Sequence, residues 1–463
     1  MQSLVNCLKF LCKPQSVAKS LQEKQSKPFA KTFLPSATAV TSPERRSFLK
    51  SKKKAKSVCA EWAVLKSPAK HLSQSSRSAT TTNMKLYIHI PFCKSKCFYC
   101  DFKSFPCSED YAIFDYLNGL NREIELAGKV YGDRNITSIY FGGGTPSLLT
   151  KEQFESVFST IKNSFNIPEN IEITVECNPE SVDEDKLTFL RSQGVNRISL
   201  GVQSLDDRSL KAIGRVHNCK TALEKIDLVK KHFDNLSVDF IVGLPYDNNK
   251  VIEDEIKAVA DKVEHISVYM LSVEKGTPLE KLVESGKVVV ADTDEQIDLF
   301  EHACSVLENA GFERYEVSNF AKDGHYSNHN NGYWLREEYL GLGLSASSLL
   351  KDETLDENGK VLSVNERRLK NTNDFENYLL DARNSVDYED FDREIEILEE
   401  AEIYDEIVML ALRMNTGVDK LLLGEKVKVL EEKFAPFIID KGDKIALNGK
   451  GMDVMNHILV EIL

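Results

Sequence analysis

The sequence has no long hydrophobic run and no dense cysteine pattern, and each absence argues against a class of protein. No apolar stretch in the 463-residue chain approaches about 18 residues, so we expect no transmembrane span. Only three of the ten cysteines are clustered, which favours a reducing compartment over a disulfide scaffold. The glycine-rich turns lack the G-x4-G-K-[ST] pattern, so they do not predict a nucleotide-binding P-loop.

Acidic residues are nearly absent from the first 83 residues. This segment holds 16 of the 59 Lys and Arg residues but only 3 of the 72 Asp and Glu residues. Because residues 1–83 are basic, rich in Ser and Lys and without sustained periodicity, we interpret them as a disordered extension and a transit peptide. We favour a mitochondrial location over a plastid one; translation from Met84 would instead leave the protein in the cytoplasm. The acidic remainder offers no electrostatic footprint for nucleic acid.

Residues 84–350 alternate between short apolar runs and helical patterns, which predicts strand–helix units in series. Six such units imply a parallel sheet and are too few to close an eight-stranded barrel. We therefore predict an α/β fold, a partial open (β/α)6 barrel of TIM-like type. Its strands are expected at Leu86–Ile90, Ile136–Phe141, Ile171–Val175, Arg197–Val202, Ser237–Val242 and Ile266–Leu271.

The rest of the chain is predicted to be a smaller unit. Residues 351–375 are charged and polar, so we interpret them as a linker. From about residue 376 the apolar spacing becomes helical, most clearly over Ile395–Leu412 and Leu421–Phe434. We expect a mostly helical C-terminal domain at residues 376–463, with no catalytic residues of its own.

Chemically capable side chains recur at or just beyond the carboxyl ends of the predicted strands. In α/β barrels this rim holds the active site, whereas an incidental distribution would scatter such residues over the helices as well. The pattern therefore predicts a site built from Cys93, Thr145, Glu176, Gln203, Asp239 and Glu274.

Three closely spaced cysteines follow the first predicted strand. Cys93, Cys97 and Cys100 form a C-x3-C-x2-C motif, and cluster irons take thiolate ligands, usually four of them. Three thiolates would leave one iron open, as catalytic metal sites require. A structural zinc site is the alternative, with His89 or Cys107 as the fourth ligand.

The second predicted strand ends in Gly142-Gly143-Gly144-Thr145-Pro146. A turn without side chains lets the backbone approach a ligand closely. Next to a three-cysteine loop, this backbone edge could bind the amino group of a ligand held on an open iron.

The cysteine motif followed by Gly-Gly-Gly-Thr-Pro resembles the radical S-adenosylmethionine (SAM) superfamily. Motifs from Tyr87 to about Ser348 more narrowly resemble the family of oxygen-independent coproporphyrinogen III oxidase and its haem-binding relative HemW. The resemblance implies a [4Fe-4S] cluster on Cys93, Cys97 and Cys100, with SAM on the fourth iron and reductive cleavage of SAM. It also implies a SAM site lined by Tyr87, Tyr99, Gly144, Thr145, Glu176, Gln203, Arg215 and Asp239.

Elementary chemistry agrees with those implied roles. The triple-glycine backbone and the Glu176 carboxylate suit the ammonium of the methionine part of SAM. Arg215 suits its carboxylate through charge-assisted hydrogen bonds. Gln203 and Asp239 can bond the ribose hydroxyls and the adenosine.

Two features favour the HemW branch. Asp101-Phe102 follow Cys100 where the oxidase has a further cysteine, and His329-Asn330-Asn331-Gly332-Tyr333-Trp334 matches the H-N-x-x-Y-W signature of HemW. The resemblance implies that His329 ligates haem iron while Tyr333 and Trp334 cover the macrocycle. Ser347 stands where relatives commonly have His.

The resemblance thus implies a haem chaperone that passes haem to an acceptor protein and receives electrons from a flavodoxin or ferredoxin. The alternative enzyme is the oxidase, which decarboxylates coproporphyrinogen III in porphyrin biosynthesis. A third option is a zinc-stabilised barrel with an interaction role. His217 and His325 are interpreted as structural.

Overall fold

A computed structural model describes residues 82–106, 110–355 and 361–463, and one twelve-stranded sheet runs through them. The strands, numbered in chain order, are β1 Asn83–Ile90, β2 Phe92–Cys93, β3 Phe105–Pro106, β4 Asn135–Gly143, β5 Glu172–Cys177, β6 Arg197–Gln203, β7 Asn235–Val242, β8 His265–Met270, β9 Glu313–Arg314, β10 Asn319–Ala321, β11 Tyr339–Leu342, β12 Ser347–Leu355, β13 Val361–Asn371, β14 Arg393–Leu398, β15 Val418–Asp419, β16 Ile438–Asp440 and β17 Lys444–Leu447.

Helices follow most of the parallel strands. Within the described ranges, the α-helices are α1 Asp110–Tyr131, α2 Lys151–Ser164, α3 Glu184–Ser192, α4 Asp207–Ala212, α5 Cys219–His232, α6 Asn249–Val259, α7 Pro278–Glu284, α8 Thr293–Asn309, α9 Asn328–Trp334, α10 Phe375–Asn384, α11 Glu400–Ala411, α12 Lys420–Leu423, α13 Lys426–Lys433, α14 Gly449–Asp453 and α15 Met455–Ile462. None of them is long and apolar enough to cross a membrane.

The large sheet has the order β14-β13-β12-β11-β1-β4-β5-β6-β7-β8-β10-β9. The seven strands from β11 to β8 are parallel, and the strands outside them pair antiparallel. The six predicted strands correspond to β1, β4, β5, β6, β7 and β8, which lie side by side in that order. The predicted α/β fold with six strand–helix units is therefore confirmed.

The β4–α2 unit shows why the sequence folds in this way. Parallel strands covered on both faces are apolar throughout, and the end of β4 is buried. The Thr150 side chain caps α2 by accepting a hydrogen bond from the Gln153 backbone amide, and the Gln153 side-chain oxygen accepts one from the Thr150 backbone amide. Helical spacing then puts Phe154 and Phe158 on one face, where both rings contact Phe141 of β4.

The predicted linker at residues 351–375 is corrected by the structure. Most of it lies in the large sheet, where β12 pairs with β13 from Ser347↔Lys370 to Leu355↔Val361. β14 then adds to β13, so Ile395 and Ile397 are strand residues and the helix predicted over them begins only at Glu400. Several of these charged residues form ion pairs within the sheet. Their polar composition therefore did not indicate a linker.

The C-terminal part has its own hydrophobic core, but this core begins later than residue 376. Tyr378, Tyr388 and Phe391 pack into the main core. The second core lies within α11 to α15 and the three-stranded sheet β15-β17-β16. The helix predicted over Leu421–Phe434 is divided into α12 and α13 at Gly424, whose φ is +56°.

A buried ion-pair network joins the sheet to this second part. Arg336 contacts Glu366 at 2.7 Å and Glu406 at 3.0 Å, and Arg368 contacts both Glu406 and Glu396. Glu406 lies on α11 and is buried. It neutralises two arginines that are also buried. Removing one partner of a buried pair leaves an uncompensated charge.

We expect Glu406→Ala to lower the free energy of unfolding by about 3–5 kcal/mol, because it strands Arg336 and Arg368. Urea unfolding followed by circular dichroism measures this change. Glu400→Ala on the exposed start of the same helix is the matched control and should stay within about 0.5 kcal/mol of wild type. Equal effects of the two substitutions would contradict a special role for the network.

Candidate active site

The cysteine loop is fixed to the barrel at both ends and in the middle. β2 and β3 pair in parallel and close the loop that contains Cys97 and Cys100. At its centre, the Phe98 amide donates to the Ile213 carbonyl at 2.9 Å, and the Phe98 carbonyl accepts from the Leu279 amide at 2.9 Å. The loop thus takes its position from the segments that follow β6 and β8.

Two aromatic side chains anchor the loop in an apolar layer. Phe98 and Tyr99 pack against a group that we call the rim cluster. Gly214, with φ of +75°, is necessary here because a Cβ would lie 2.9 Å from the Phe98 ring. The rim cluster consists of Ile213, Ile241, Leu244, Leu271 and Leu279.

The three thiols are free and half-buried. Burial raises the pKa of Cys93, and it raises the pKa of Cys100 to about 11, so without a metal both thiols are protonated at neutral pH. In the described ranges, no three His, Cys, Asp or Glu residues converge as ligands of a single metal ion do. Cysteines of a cubane cluster bind different irons and need not converge on one point.

His89 is engaged elsewhere and is not placed as a fourth zinc ligand. One ring nitrogen is 3.0 Å from the Tyr87 hydroxyl, and the other is 3.1 Å from the Lys103 carbonyl oxygen. Cys107, the other zinc candidate, lies outside the described residues. The ligand set considered for zinc is thus not assembled by the described part of the chain.

Arg215 reaches one of the cysteines directly. Its guanidinium donates to the Cys97 sulfur at 3.5 Å, to the Asn178 Oδ1 atom at 2.9 Å and to the Gly201 carbonyl. Burial opposes its charge, but the nearby Tyr99, Cys97 and Glu180 raise the pKa of Arg215 overall. Its Nε has no partner among the described atoms, so the guanidinium keeps a donor for a further anionic group.

The triple-glycine turn lies directly against the cysteine loop. The Gly144 amide donates to the Ile90 carbonyl at 2.8 Å, and the Thr145 amide donates to the Phe92 carbonyl at 2.7 Å. A Cβ on Gly144 would lie 2.5 Å from that Phe92 oxygen, so only glycine fits. An ammonium group has only donors, so an ammonium ligand would bind oxygen acceptors here rather than these amides.

Glu176 supplies such an acceptor at the end of β5. Its carboxylate accepts from the Tyr140 hydroxyl at 2.9 Å and from the Gly143 amide at 3.1 Å. Burial raises the pKa of Glu176, so a bound cation would stabilise its ionised form. Tyr87 stacks on Tyr140 with 6.3 Å between ring centroids. This contact helps to hold the Tyr140 hydroxyl that donates to Glu176.

Gln203 and Asp239 lie on the next two strands. Gln203 has a φ of +70° at a register shift between β6 and β7, a conformation that non-glycine residues rarely adopt and that re-aims its side chain. Asp239 accepts from the Ser199 hydroxyl at 3.1 Å, and burial raises the pKa of Asp239.

The structure places the start of the H-N-x-x-Y-W motif near the amino-terminal ends of β4 and β5 rather than on the rim. His329 is fully buried, with one ring nitrogen 2.8 Å from the Ser138 hydroxyl and the other 2.8 Å from the Tyr333 hydroxyl. Its ring also contacts Tyr140, which bonds Glu176. His329 therefore offers no free ring nitrogen, and the haem-ligand role inferred for it is not supported by this geometry.

Trp334 is directed toward the C-terminal part, where the Arg413 guanidinium lies 4.5 Å from its ring centroid. Ser347 begins β12, and its backbone packs tightly on Gly341. His217 and His325 bond backbone carbonyls, of Val202 and Lys322 respectively, in agreement with structural roles.

An open cavity lies on the same rim, between the loop after β7 and the segment before α8. Its volume is about 760 Å³. Tyr246 stands at its edge, 57% exposed and with φ of +73°, and Val289 is 79% exposed. Burial raises the pKa of Asp247 to about 8. The lining includes Leu244, Tyr246, Asp247, Lys287, Val289 and Leu299.

Comparisons with known proteins show the family and the fold of this chain. The sequence model of the radical SAM superfamily matches residues 87–259. The solved structure of E. coli coproporphyrinogen III oxidase (HemN), described as a radical SAM enzyme, superposes with a TM-score of 0.68. It is 19% identical in sequence, over 82% of this chain and 90% of that one. At that identity the likeness shows the fold.

Two curated relatives are closer in sequence. "Heme chaperone HemW" of Bacillus subtilis is 33% identical over 77% of this chain and 91% of its own length. A zebrafish (Danio rerio) protein named "Radical S-adenosyl methionine domain-containing protein 1, mitochondrial" is 38% identical over 56% of this chain and 59% of its own length. The fold and the rim site together define a radical SAM protein. Within that superfamily, the chain belongs to the HemW family.

The residues present fit the cofactors that this superfamily uses. Three free thiols stand beside a guanidinium with an unpartnered nitrogen, and a carboxylate faces a turn that only glycine can form. When bound, the cluster supplies the electron for reductive cleavage of SAM. Asn178 and Gly201, which sequence analysis did not single out, lie at the centre of this arrangement; the only sequence signal was the position of Asn178 just after a strand end.

We expect Cys97→Ser to abolish cluster assembly, because a hydroxyl is a poor replacement for a thiolate on iron. Iron and sulfide content and the visible absorbance after anaerobic reconstitution measure the loss. Cys219→Ser, at a half-buried cysteine in the first turn of α5, is the matched control and should assemble the cluster as wild type does. Unchanged iron content in Cys97→Ser would refute the ligand assignment.

Proposed function

We propose that this protein is a radical SAM haem chaperone, which binds haem and passes it to an acceptor protein. The observation that carries the proposal is 33% identity over 91% of the length of a relative named as a haem chaperone. It is supported by Asp101 after the third cysteine and by the H-N-x-x-Y-W motif.

Cys93, Cys97 and Cys100 would hold a [4Fe-4S] cluster, and SAM would bind on the iron they leave open. In this proposal the Glu176 carboxylate accepts the SAM ammonium, and Arg215 directs its free Nε toward the SAM carboxylate. Gln203 and Asp239, on the next two strands, would bond the ribose hydroxyls and the adenosine. Tyr99, which packs against the rim cluster, fixes the loop that these groups face.

Decarboxylation of coproporphyrinogen III is the second candidate. The structural likeness to the oxidase favours it at the level of the fold. The sequence of the cysteine loop argues against it, because Asp101 and Phe102 replace the further cysteine. The haem chaperone is therefore the function that we prefer.

Haem would bind in the rim cavity rather than at His329. Haem needs an apolar slot and cations for its propionates, and the cavity provides Leu244, Val289 and Leu299 together with Lys287. Burial raises the pKa of Asp247 to about 8, which weakens its repulsion of a propionate. Glu295 and Asp298 also line the cavity. Tyr246 is an exposed aromatic side chain at the cavity edge. His329 would instead support Tyr140 and Glu176.

We propose a mitochondrial location, supported by the animal relatives whose names carry that word. Residues 1–83 would be the transit peptide; apart from its last two residues, this segment lies outside the described residues. A flavodoxin or ferredoxin would supply the electron. The acceptor would be a haem-dependent protein of the same compartment.

We expect the reconstituted protein to bind haemin with a shift of its Soret absorbance, and to leave coproporphyrinogen III unchanged in the presence of SAM and a reductant. Absorbance titration and chromatographic analysis of the porphyrins measure the two outcomes. Cys97→Ser is the control, since it should keep haem binding and lose SAM cleavage. Loss of propionate carboxyl groups at turnover rates would favour the oxidase instead.

We expect Val289→Glu to raise the haemin dissociation constant by about tenfold, which corresponds to about 1.4 kcal/mol, because it adds negative charge at the cavity mouth. His329→Gln should leave haemin affinity unchanged. Val460→Glu, at a valine 55% exposed on α15, is the matched control for the valine substitution. The opposite pattern, with affinity lost only in His329→Gln, would restore His329 as the haem ligand.

A further inference from the structure

Asn178 links the surroundings of two cysteines through one amide group. Its Nδ2 donates to the Thr145 hydroxyl oxygen at 2.9 Å, and its Oδ1 accepts from Arg215 at 2.9 Å. The Thr145 hydroxyl lies beside the Cys93 thiol and lowers its pKa against the effect of burial, and Arg215 donates to the Cys97 sulfur at 3.5 Å. A continuous path therefore runs from Cys93 through Asn178 to Cys97.

The chemistry of the groups fixes the direction of every bond in this path. A guanidinium has only donors, so it must face the oxygen of the Asn178 amide. The amide nitrogen then faces Thr145 and donates to it. Because the Thr145 oxygen is occupied as an acceptor toward Asn178, its hydroxyl hydrogen is free to point at the Cys93 sulfur. The Asn178 side-chain amide thus directs one donor toward the Cys93 sulfur and another toward the Cys97 sulfur.

The surrounding backbone holds Asn178 in this orientation. The Asn178 backbone amide donates to the Ser181 hydroxyl oxygen at 3.1 Å, and that hydroxyl donates to the Asn178 backbone carbonyl at 2.8 Å. Gly201 lies beneath the side chain, where a Cβ would come within 2.9 Å of Oδ1. These contacts restrict the position and rotation of the Asn178 side-chain amide, as a positioning residue requires.

We propose that Asn178 is a positioning residue that sets the reduction potential of the cluster by directing the hydrogen bonds of Thr145 and Arg215 onto the Cys93 and Cys97 sulfurs. The inference rests on the proposed [4Fe-4S] site. Hydrogen bonds to cluster sulfurs stabilise the more negative reduced state and raise the potential. Asn178 acts only through its two neighbours and touches no reacting atom.

Asn178→Asp is the decisive variant because it keeps the shape and removes the donor. A carboxylate turns the Thr145 hydroxyl toward itself, so the Cys93 sulfur loses its bond. The reduced-to-oxidised ratio at a fixed potential should fall about tenfold, which equals a shift of 59 mV for a one-electron couple. Redox titration followed by electron paramagnetic resonance measures it.

The added charge of Asp is separated from the lost hydrogen bond by a double-mutant cycle with Thr145→Val. Thr145→Val alone should lower the potential, and Thr145→Ser should keep it at the wild-type value. In the Asn178→Asp background, Thr145→Val should have no further effect, since the hydroxyl has already turned away. Additive effects of the two substitutions would overturn the proposal.

Asn196→Asp is the matched control. Asn196 also joins two groups, the Ile173 amide and the Ile171 carbonyl, but at the opposite end of the barrel. It should leave the potential unchanged. Equal potentials in wild type, Asn178→Asp and Asn196→Asp, at equal iron content, would overturn the role of Asn178.

Two further outcomes stay distinguishable. If Asn178→Asp does not assemble a cluster, Thr145→Val and Thr145→Ser decide the matter, and equal potentials in that pair would overturn the proposal. A wild-type protein that forms no [4Fe-4S] cluster would refute the proposed function itself. A wild-type cluster with an unaltered potential in the variants would refute only the inference about Asn178.

Discussion

The parallel pairing of β1 with β4 determines where the site lies. It sets Ile90 opposite Gly143, so the turn at Gly144 closes onto the backbone that leads into Cys93. Each later parallel strand then presents its carboxyl end at the same edge. A shift of this register by one residue would turn Glu176's partner Tyr140 to the other face of the sheet. The placement of thiols, carboxylates and guanidinium depends on this one pairing.

The sequence predicted the rim well because parallel strands leave a local signal. Their apolar runs are continuous, and a polar residue at the end of each run marks the carboxyl edge. Cys93, Thr145, Glu176 and Gln203 were found in this way. The resemblance added Arg215, whose place between two strands carries no periodic signal. The structure shows that it reaches Cys97.

The remaining features depend on contacts between distant segments, which composition does not reveal. Charged residues near 366–368 suggested a linker, but Arg336 and Glu406 neutralise them inside the fold. His329 suggested a ligand because imidazole binds iron, whereas Ser138, 191 residues earlier, occupies one of its nitrogens. Asn178 carried only the signal of its position after a strand end, which does not reveal its role between Thr145 and Arg215.

The charge of the half-buried Arg215 guanidinium bears on the stability of the protein against proteolysis in the cell. Its anionic neighbours would be Glu180 and, with iron bound, the Cys97 thiolate. Bound iron would therefore add to the compensation of this charge. Metal that binds only the folded chain shifts the folding equilibrium toward it. Iron supply would therefore determine how long the protein survives proteolysis, in addition to whether it is active.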